Sequence, residues 1–259
     1  MARSSRLQQL DARKLPGTEG ASSPFFSPDG QHIGFFARGK LKKVSMAGIV
    51  TSLADAPNGR GGAWGVDGKI VYSPNSNSGI VLMSVPAEGG APAKLLPQAS
   101  GESTQRWPQL LPDGKSVLYT SHRSVSGFDR AKILVAPLAG GAPTVVMSGA
   151  YAGRYLPSGH LLFMRQGTLF AVAFDLSTFT VRGEPMPLAQ HVSTNTIAGS
   201  AAVAVSPAGV LAYVPGDVIT TTRPMYWMNS RGEFTVLRQA PLDWDSPRVS
   251  PDGRRIALR

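Results

Sequence analysis

Apolar and polar residues alternate with a period of two on both sides of a short turn sequence, and this pattern recurs along the whole chain. Such alternation is typical of half-buried β-strands, whereas an amphipathic helix needs apolar spacings of three and four residues. An apolar residue stands four positions before each turn glycine: Phe26, Trp64, Leu110, Tyr155, Val205 and Val249. The pattern therefore predicts a series of β-hairpins.

The turn between the strands is built from proline, aspartate and glycine. Proline presets one backbone angle, aspartate accepts a hydrogen bond from a downstream amide, and glycine adopts a left-handed conformation that other residues resist. The full Pro-Asp-Gly motif occurs three times, and degenerate copies stand at three further places. We assign a structural role to the turn residues Asp29, Gly30, Asp67, Gly68, Asp113, Gly114, Gly159, Gly209, Asp252 and Gly253.

The spacing of the turns predicts the architecture. Successive turn glycines lie 38, 46, 45, 50 and 44 residues apart, and strand repeats with a period near forty are typical of propeller blades. A four-stranded sheet cannot bury both of its faces alone, so neighbouring sheets stack around an axis. The predicted fold is an all-β propeller of four-stranded antiparallel blades, with about five complete blades and partial blades at both ends.

The predicted blades cover residues 21–56, 57–97, 98–149, 150–190 and 191–240, with a partial blade at 241–259. Residues 1–20 are interpreted as the outer strand of a preceding blade, as a strand that closes a ring, or as a frayed tail. No third strand follows within 241–259, so we expect an open sheet edge there. That expectation implies a piece of a longer chain or an unclosed propeller.

Composition narrows the class of protein. The 259 residues include 29 glycines, 21 prolines and no cysteine, which favours many tight turns and excludes disulfides and thiolate chemistry. The first 16 residues lack the apolar core of a signal peptide, and no apolar run approaches the ~20 residues of a membrane helix. The sequence therefore indicates a globular domain without a membrane segment.

The formal net charge is +10. One interpretation is a basic surface without specific meaning, and the other is an anionic partner. Because the basic residues are scattered, we expect no specific nucleic-acid binding. The partner is left open as an unknown protein, peptide or small molecule.

No catalytic motif is found. The four histidines lack metal-ligand spacing, no Gly-x-Ser-x-Gly elbow is present, and turn chemistry explains the aspartates. Leu242-Asp243-Trp244-Asp245 offers two carboxylates for calcium, although a capped turn is the alternative interpretation. We therefore expect no catalytic or metal site, no cofactor, and no enzyme activity in this segment.

Polar loops at strand ends are the candidate binding surface. Arginine and tryptophan supply much of the binding energy at interfaces. The alternative is that the aromatic rings wedge between blades and the arginines cap carbonyl groups. Arg106 and Trp107 are taken to occupy the same place in one blade as Arg154 and Tyr155 in the next. The candidate binding residues are Arg60, Asn75, Asn77, Arg106, Trp107, Arg154 and Tyr155.

Six stretches resemble a known family. They are residues 16–30 (PGTEGASSPFFSPDG), 39–45 (GKLKKVS), 55–62 (DAPNGRGG), 106–109 (RWPQ), 153–161 (GRYLPSGHL) and 167–172 (GTLFAV). The chain resembles TolB-like, WD-repeat-like bacterial propellers, and more closely the C-terminal sensor region of bacterial transmembrane serine/threonine kinases. In that family the kinase domain and one membrane helix precede an extracytoplasmic propeller. This chain has no His-Arg-Asp loop and no Asp-Phe-Gly, so any kinase activity would belong to upstream sequence.

The resemblance implies a non-catalytic binding or sensor module, with an extracytoplasmic location. Two alternatives stay open: the propeller of a prolyl-oligopeptidase-type serine peptidase without its catalytic domain, and a free TolB-like envelope scaffold. An upstream kinase and membrane helix favour the first hypothesis, a downstream nucleophile elbow the second, and a signal peptide the third. We also expect that replacing Arg106 and Trp107 together by alanine weakens binding while folding stays cooperative.

Overall fold

Strand-forming residues dominate the elements of the computed structural model, which describes residues 3–6, 13–205, 211–216, 225–228, 234–238 and 247–258. Within these residues the chain forms 26 β-strands and one short 3-10 helix, Phe128–Arg130. The predicted all-β propeller is confirmed. Gly209 and Leu242-Asp243-Trp244-Asp245, which figured in the sequence predictions, lie outside the described residues.

The strands follow one another in simple antiparallel order. The first fourteen are β1 (Arg3–Arg6), β2 (Arg13–Lys14), β3 (Ser22–Phe26), β4 (His32–Ala37), β5 (Lys40–Ser45), β6 (Val50–Asp55), β7 (Gly62–Trp64), β8 (Lys69–Tyr72), β9 (Met83–Pro86), β10 (Ala93–Lys94), β11 (Thr104–Leu110), β12 (Ser116–His122), β13 (Lys132–Pro137) and β14 (Thr144–Ser148). The remaining twelve are β15 (Tyr151–Leu156), β16 (His160–Arg165), β17 (Thr168–Asp175), β18 (Thr180–Ala189), β19 (Thr194–Asn195), β20 (Ser200–Ala201), β21 (Val203–Val205), β22 (Leu211–Tyr213), β23 (Met225–Met228), β24 (Phe234–Arg238), β25 (Arg248–Val249) and β26 (Arg255–Leu258).

Five blades are consecutive runs of four strands: β3–β6, β7–β10, β11–β14, β15–β18 and β21–β24. The first strand of each run lies nearest the axis, where β3 contacts β7, β7 contacts β11, and β11 contacts β15. A two-stranded hairpin, β19–β20, precedes the fifth blade. We refer to residues 194–201 as the axial hairpin.

The sixth sheet joins the two ends of the described chain, in the order β2-β1-β26-β25. Arg3–Arg6 pairs antiparallel with Arg255–Leu258. The expectation of an open edge at residues 241–259 was therefore wrong, because the N-terminal strands supply the third and fourth positions. The sixth sheet also packs on the first blade, where Ala257 shares a buried cluster with Ile33 and Phe35. The six sheets thus close into a ring.

The Pro-Asp-Gly turns have the geometry that their residues favour. The amide of Gly30 donates to the carbonyl of Ser27 over 2.9 Å, and Asp29 Oδ1 accepts from the Ser27 hydroxyl and the Gln31 amide. These two hydrogen bonds lower the pKa of Asp29, as the equivalent bonds from Ser250 and Arg254 do for Asp252. Left-handed φ angles occur at the described turn glycines Gly30, Gly68, Gly114, Gly159 and Gly253.

Apolar side chains fill the spaces between neighbouring blades. Between the third and fourth blades, Leu118 and Ile133 pack with Leu161 and Phe163, all of them inaccessible to solvent. Full burial of one such side chain stabilises the fold by about 1.5–3 kcal/mol. The blades therefore form a rigid frame that fixes the positions of the inner strands.

Candidate functional site: the central channel

A repeated bulge shapes the inner strands. Seven residues before the turn glycine, Ser23, Trp107 and Ala152 have positive φ angles of 48°, 56° and 53°. The pairing register shifts at each of these places. A bulge bends its strand and redirects the side chains that follow it. In the second blade Gly61 occupies the equivalent position with a φ of 91°.

In each of the six blades, the residue five positions before the turn glycine lies beside the axis. Together these six residues line a single cavity. This cavity has a volume of about 320 Å³ and is bounded by the inner strands of all six blades. Its wall also contains the apolar residues that stand four positions before the glycines. The six residues at the fifth position are Phe25, Ala63, Gln109, Arg154, Ala204 and Arg248.

The cavity opens at the end of the channel where the Pro-Asp-Gly turns lie. Pro112, Pro157 and Pro251 belong to these turns, line the cavity and are exposed to solvent. They therefore form part of the mouth. Trp64 and Tyr155 lie just inside it, and their rings contact His32 and Phe174 with centroid distances of 5.8 and 5.9 Å.

Arg154 lies deep in the channel, between this cavity and a smaller one that also contains Trp107. Its Nη1 donates to the carbonyls of Trp107 and Gly153 over 3.0 and 2.9 Å. Among the described residues, Nε and Nη2 have no hydrogen-bond partner. Burial, with a smaller contribution from the charge of Arg248, lowers the pKa of Arg154 to about 9. The guanidinium group is therefore still charged at neutral pH.

Arg248 faces the same two cavities. Its Nη1 donates to the carbonyl of Pro247 over 2.7 Å. The described residues that line the two cavities include no aspartate and no glutamate. The two arginines therefore lie beside an apolar wall.

The opposite end of the channel is held closed around Arg106. This side chain is fully buried, and all five of its N–H groups are paired. Nε donates to Thr104 Oγ1, Nη1 to the carbonyls of Ile197 and Ala198, and Nη2 to the carbonyls of Ser76 and Val125. The guanidinium group also stacks over the Phe128 ring, 4.7 Å from its centroid. Arg106 thus ties together loops from the second, third and fifth blades.

Trp107 completes this closure. Its indole Nε1 donates to the carbonyl of Ala198 in the axial hairpin over 3.0 Å, and the side chain is 5% exposed. The ring lies so close to Gly61 that a Cβ atom there would stand 2.7 Å from it. Trp107 therefore lies between the smaller cavity and the loops that Arg106 holds together at the closed end of the channel.

The predicted binding residues lie at both the open end and the closed end of the channel. Arg154 and Tyr155 line the main cavity and Trp107 lines the smaller one, whereas Arg60, Asn75, Asn77 and Arg106 line neither. Arg60 donates through Nη1 to Asn58 Oδ1, and its Nε is buried without a partner. Asn75 accepts from the Ser76 amide, and Asn77 is exposed. The geometry favours the structural alternative for Arg106.

The expected equivalence of Arg106 and Arg154 was wrong. Arg106 stands eight residues before its turn glycine and pairs with Thr120, whereas Arg154 stands five residues before its own and pairs with Leu162. The residue equivalent to Arg154 is Arg248, which sequence reasoning missed. Counting back from Gly159 and Gly253 would have found the pair, because both arginines stand at the fifth position.

The histidines remain outside the channel. His122 accepts from the Ser124 amide at Nδ1 and contacts the Gly127 carbonyl through Nε2, and His160 lies beside Ser158 at the surface. In the described ranges, no three histidine or carboxylate side chains are grouped as a metal site would require. The same ranges contain no helix with the length and hydropathy that a membrane crossing needs.

Comparison with known proteins identifies the fold. No protein-family model and no curated protein sequence matches the chain. Among solved structures, a protein assigned as TolB from Agrobacterium tumefaciens has a TM-score of 0.74 at 18% identity, covering 99% of this chain and 96% of its own. The gluconolactonase XC5397 from Xanthomonas campestris has a TM-score of 0.70 at 12% identity, covering 99% and 89%.

A third match is a puromycin-hydrolysing peptidase from Mycobacterium tuberculosis, with a TM-score of 0.53 at 16% identity, covering 92% of this chain and 42% of the peptidase. These likenesses confirm the propeller and the TolB-like part of the resemblance at the level of the fold. They do not support the relationship to kinase sensor regions. The prediction that the segment is not an enzyme is overturned, because a propeller that matches nearly the whole chain is a gluconolactonase.

Proposed function

We propose that this chain is a ligand-recognition propeller whose ligand enters the central channel through the mouth formed by the Pro-Asp-Gly turns. The observation that carries the proposal is the cavity of about 320 Å³ to which all six blades contribute. Small-molecule sites have volumes of roughly 300–1,000 Å³ and apolar walls with a few polar groups that orient the ligand. Here Trp64 and Tyr155 belong to the wall, and Arg154 is the orienting polar group.

Rigid strands position these groups. Both the amide and the carbonyl of Tyr155 are hydrogen-bonded by the Gln109 side chain, over 2.8 and 3.0 Å. This bond pair fixes the third blade against the fourth at the cavity wall. Sites on rigid elements lose less free energy to ordering when the ligand binds. The site therefore suits recognition of a specific ligand without rearrangement.

The resemblance described above supports a sensing role for such recognition, and an extracytoplasmic location goes with that role. The TolB-like fold agrees with both. The kinase association rests on the resemblance alone. The coding sequence on both sides of this segment tests it, because a kinase domain and a membrane helix upstream would support a sensor, and a downstream nucleophile elbow would support a peptidase.

Catalysis in the same channel is the second candidate. It rests on the near full-length match to a propeller that acts as a gluconolactonase. Hydrolysis of gluconolactone, followed by acid release at constant pH, tests it directly. Activity that disappears when the channel is blocked would support the enzyme, and a rate equal to that of buffer would reject this substrate.

A single cysteine tests the location of the site, because the natural chain has none. Ala63→Cys places a thiol in the cavity wall, and reaction with a fluorescein maleimide then fills the channel. The probe is a library of small neutral, anionic and cationic compounds, whose binding is followed by ligand-observed NMR. We expect compounds that bind the unlabelled protein to be lost after labelling.

The matched control is Thr51→Cys, on the exposed outer strand β6. The same label there should leave binding unchanged. If no compound binds the unlabelled protein, or if compounds still bind the labelled Ala63→Cys protein, the channel is not the site.

A further inference from the structure

We infer that Asn58, at the closed end of the channel, is a site of spontaneous deamidation, which Arg60 promotes and whose carboxylate product Arg60 then binds. The inference goes beyond the proposed function, because it concerns a covalent change of the chain itself. Asparagine is a thermolabile residue, and a following glycine leaves the backbone nitrogen open to attack because it has no side chain. Asn58 and Gly59 form the only Asn-Gly pair in the sequence.

Packing fixes the glycine of this pair. Gly59 is buried, and a Cβ atom there would stand 2.1 Å from the Phe36 ring. A side chain that would shield the Gly59 nitrogen therefore has no space. The Gly59 amide has no hydrogen-bond partner in the described part of the chain, whereas the amides on either side of it donate to the carbonyls of Pro74 and Ser73 over 3.3 and 2.9 Å. No hydrogen bond within the described structure has to break before this nitrogen reacts.

Arg60 orients the side chain that reacts. Asn58 is exposed, and its Oδ1 accepts from Arg60 Nη1 over 2.6 Å. The same Nη1 donates to the Gly59 carbonyl over 3.2 Å, so a single donor draws the side-chain carbonyl of Asn58 toward the Gly59 peptide. Asn58 Nδ2 donates to Ser76 Oγ over 2.6 Å. Both ends of the side-chain amide are therefore positioned by the fold.

The reaction consumes water and releases ammonia. The Gly59 nitrogen loses its proton and forms a bond to Cγ of Asn58, and negative charge develops on Oδ1, where Arg60 donates its hydrogen bond. The Cγ–Nδ2 bond then breaks, and Nδ2 leaves with a proton as ammonia. Water opens the resulting succinimide at Cγ to give aspartate, or at the backbone carbonyl carbon to give isoaspartate.

The aspartate product suits the surroundings of Arg60. This guanidinium group is half-buried, its Nε has no partner, and burial lowers its pKa. Its charge also contributes to the lowered pKa of Arg106. A carboxylate in place of the Asn58 amide keeps the hydrogen bond from Nη1 and adds the attraction of opposite charges. The Ser76 hydroxyl, which accepts from the amide, can donate to the carboxylate.

Peptide mapping measures the reaction after incubation in a mildly alkaline buffer. Trypsin releases residues 44–60, in which Asn58 is the only amide side chain. Mass spectrometry follows the gain from NH2 to OH, and endoproteinase Asp-N, which cuts before aspartate but not before isoaspartate, separates the two products. We expect Asn58 to react at least as fast in the native protein as in the chain unfolded in guanidinium chloride. Asn75 and Asn77, each followed by serine, are internal controls that should react more slowly.

Substitutions test the role of Arg60. Arg60→Gln should slow the reaction of the native protein by about tenfold or more, because it removes the donor at the developing oxyanion. It should leave the rate in the unfolded chain nearly unchanged. The matched control is Arg182→Gln, which removes an exposed, ion-paired arginine from strand β18 and should not change the rate. Asn58→Asp copies the product, so it should raise the unfolding temperature at low salt, and it should not do so in combination with Arg60→Gln.

Circular dichroism shows whether each variant is folded before its rate is compared. The inference is overturned if Asn58 reacts more slowly in the native protein than in the unfolded chain, or if folded Arg60→Gln protein reacts as fast as the natural protein. It is also overturned if Asn58→Asp does not raise the unfolding temperature, because Arg60 then does not bind the carboxylate. If Arg60→Gln does not fold, the comparison of native and unfolded chains decides.

Discussion

The two ends of the channel use the same residue type in opposite ways. At the closed end Arg106 is fully buried and donates all five of its hydrogen bonds to the protein. Nearer the open end Arg154 keeps one edge of its guanidinium group unpaired beside a cavity. Both have a lowered pKa, mainly through burial: about 10 for Arg106 and about 9 for Arg154.

This comparison shows that burial and a shifted pKa do not distinguish a structural arginine from a binding one. The hydrogen-bond inventory does so here, because a guanidinium group has five donors, of which Arg106 uses all five within the protein and Arg154 uses two. Arg106 has no donor left for a ligand. Arg154 retains the edge that a planar oxyanion requires.

The largest loss of stability is expected for substitution of Arg106, at the closed end of the channel. Arg106→Ala would leave four backbone carbonyls and Thr104 without their donor, so the free energy of unfolding should fall by about 3–5 kcal/mol. Urea denaturation measures the change. The double replacement of Arg106 and Trp107 should then destabilise the domain, rather than weaken only its binding. Arg182→Ala should change the stability by less than about 0.5 kcal/mol. A loss below about 1 kcal/mol for Arg106→Ala would show that the loops are held by other contacts.

The next largest loss of stability is expected for a substitution in the axial hairpin. Gly199 has a φ of 69°, and a Cβ atom there would stand 2.3 Å from the Phe128 ring. Gly199→Ala should therefore cost about 2–3 kcal/mol of unfolding free energy, through backbone strain and overpacking together. Gly127→Ala is the matched control, since its φ is 77° but its added methyl group meets no neighbour. It should cost about 1 kcal/mol. Equal losses in the two variants would mean that the contact with Phe128 is absent.

Only a small change in stability is expected when Arg154 is replaced. In a buffer without carboxylate or phosphate, Arg154→Gln should change the free energy of unfolding by less than about 1 kcal/mol, because the loss of two hydrogen bonds is offset by removal of an unpaired charge. Urea denaturation of the two proteins in parallel measures it. A loss as large as that of Arg106→Ala would give both arginines a structural role and remove the contrast between the two ends.

Much of the propeller fold could be predicted from the sequence, because its turns and strands are encoded by residues that are adjacent in the chain. The turn at Gly30 and the apolar residue at Phe26 are properties of a few adjacent residues. Ring closure by residues 1–20 was one of three alternatives that the sequence left open, and local patterns could not select the pairing of β1 with β26, since the partners are separated by nearly the whole chain. Strand pairing over such distances leaves no local pattern in either segment.

The site was predicted only in part. Arg154 and Tyr155 were found from their residue types, but Arg106 has the same type and a different role. What separates them is the distance to the turn glycine, together with the bulge that changes the direction of the strand at Trp107. Arg248 was missed because its position was not counted back from Gly253. Its role depends on the position that it shares with Arg154.

The smallest contribution to stability is expected from the turn aspartates Asp29 and Asp252, at the open end of the channel. Hydrogen bonds from the Ser27 hydroxyl and the Gln31 amide hold the pKa of Asp29 below its ordinary value of 3.8. Because the folded pKa is lower than the unfolded one, this contribution is complete above about pH 3.8 and is lost as the pH falls through the folded pKa. Screening by solvent limits it to at most about 0.5 kcal/mol per turn.

Ser27→Ala should raise the pKa of Asp29, which NMR titration of the side-chain carboxyl carbon measures, and Ser250→Ala should do the same for Asp252. Ser177→Ala, in a distant turn, should leave both unchanged. If Asp29 and Asp252 titrate at or above 3.8 in the natural protein, the hydrogen bonds from their own turns do not stabilise the carboxylates, and the turn geometry at the open end is not as described.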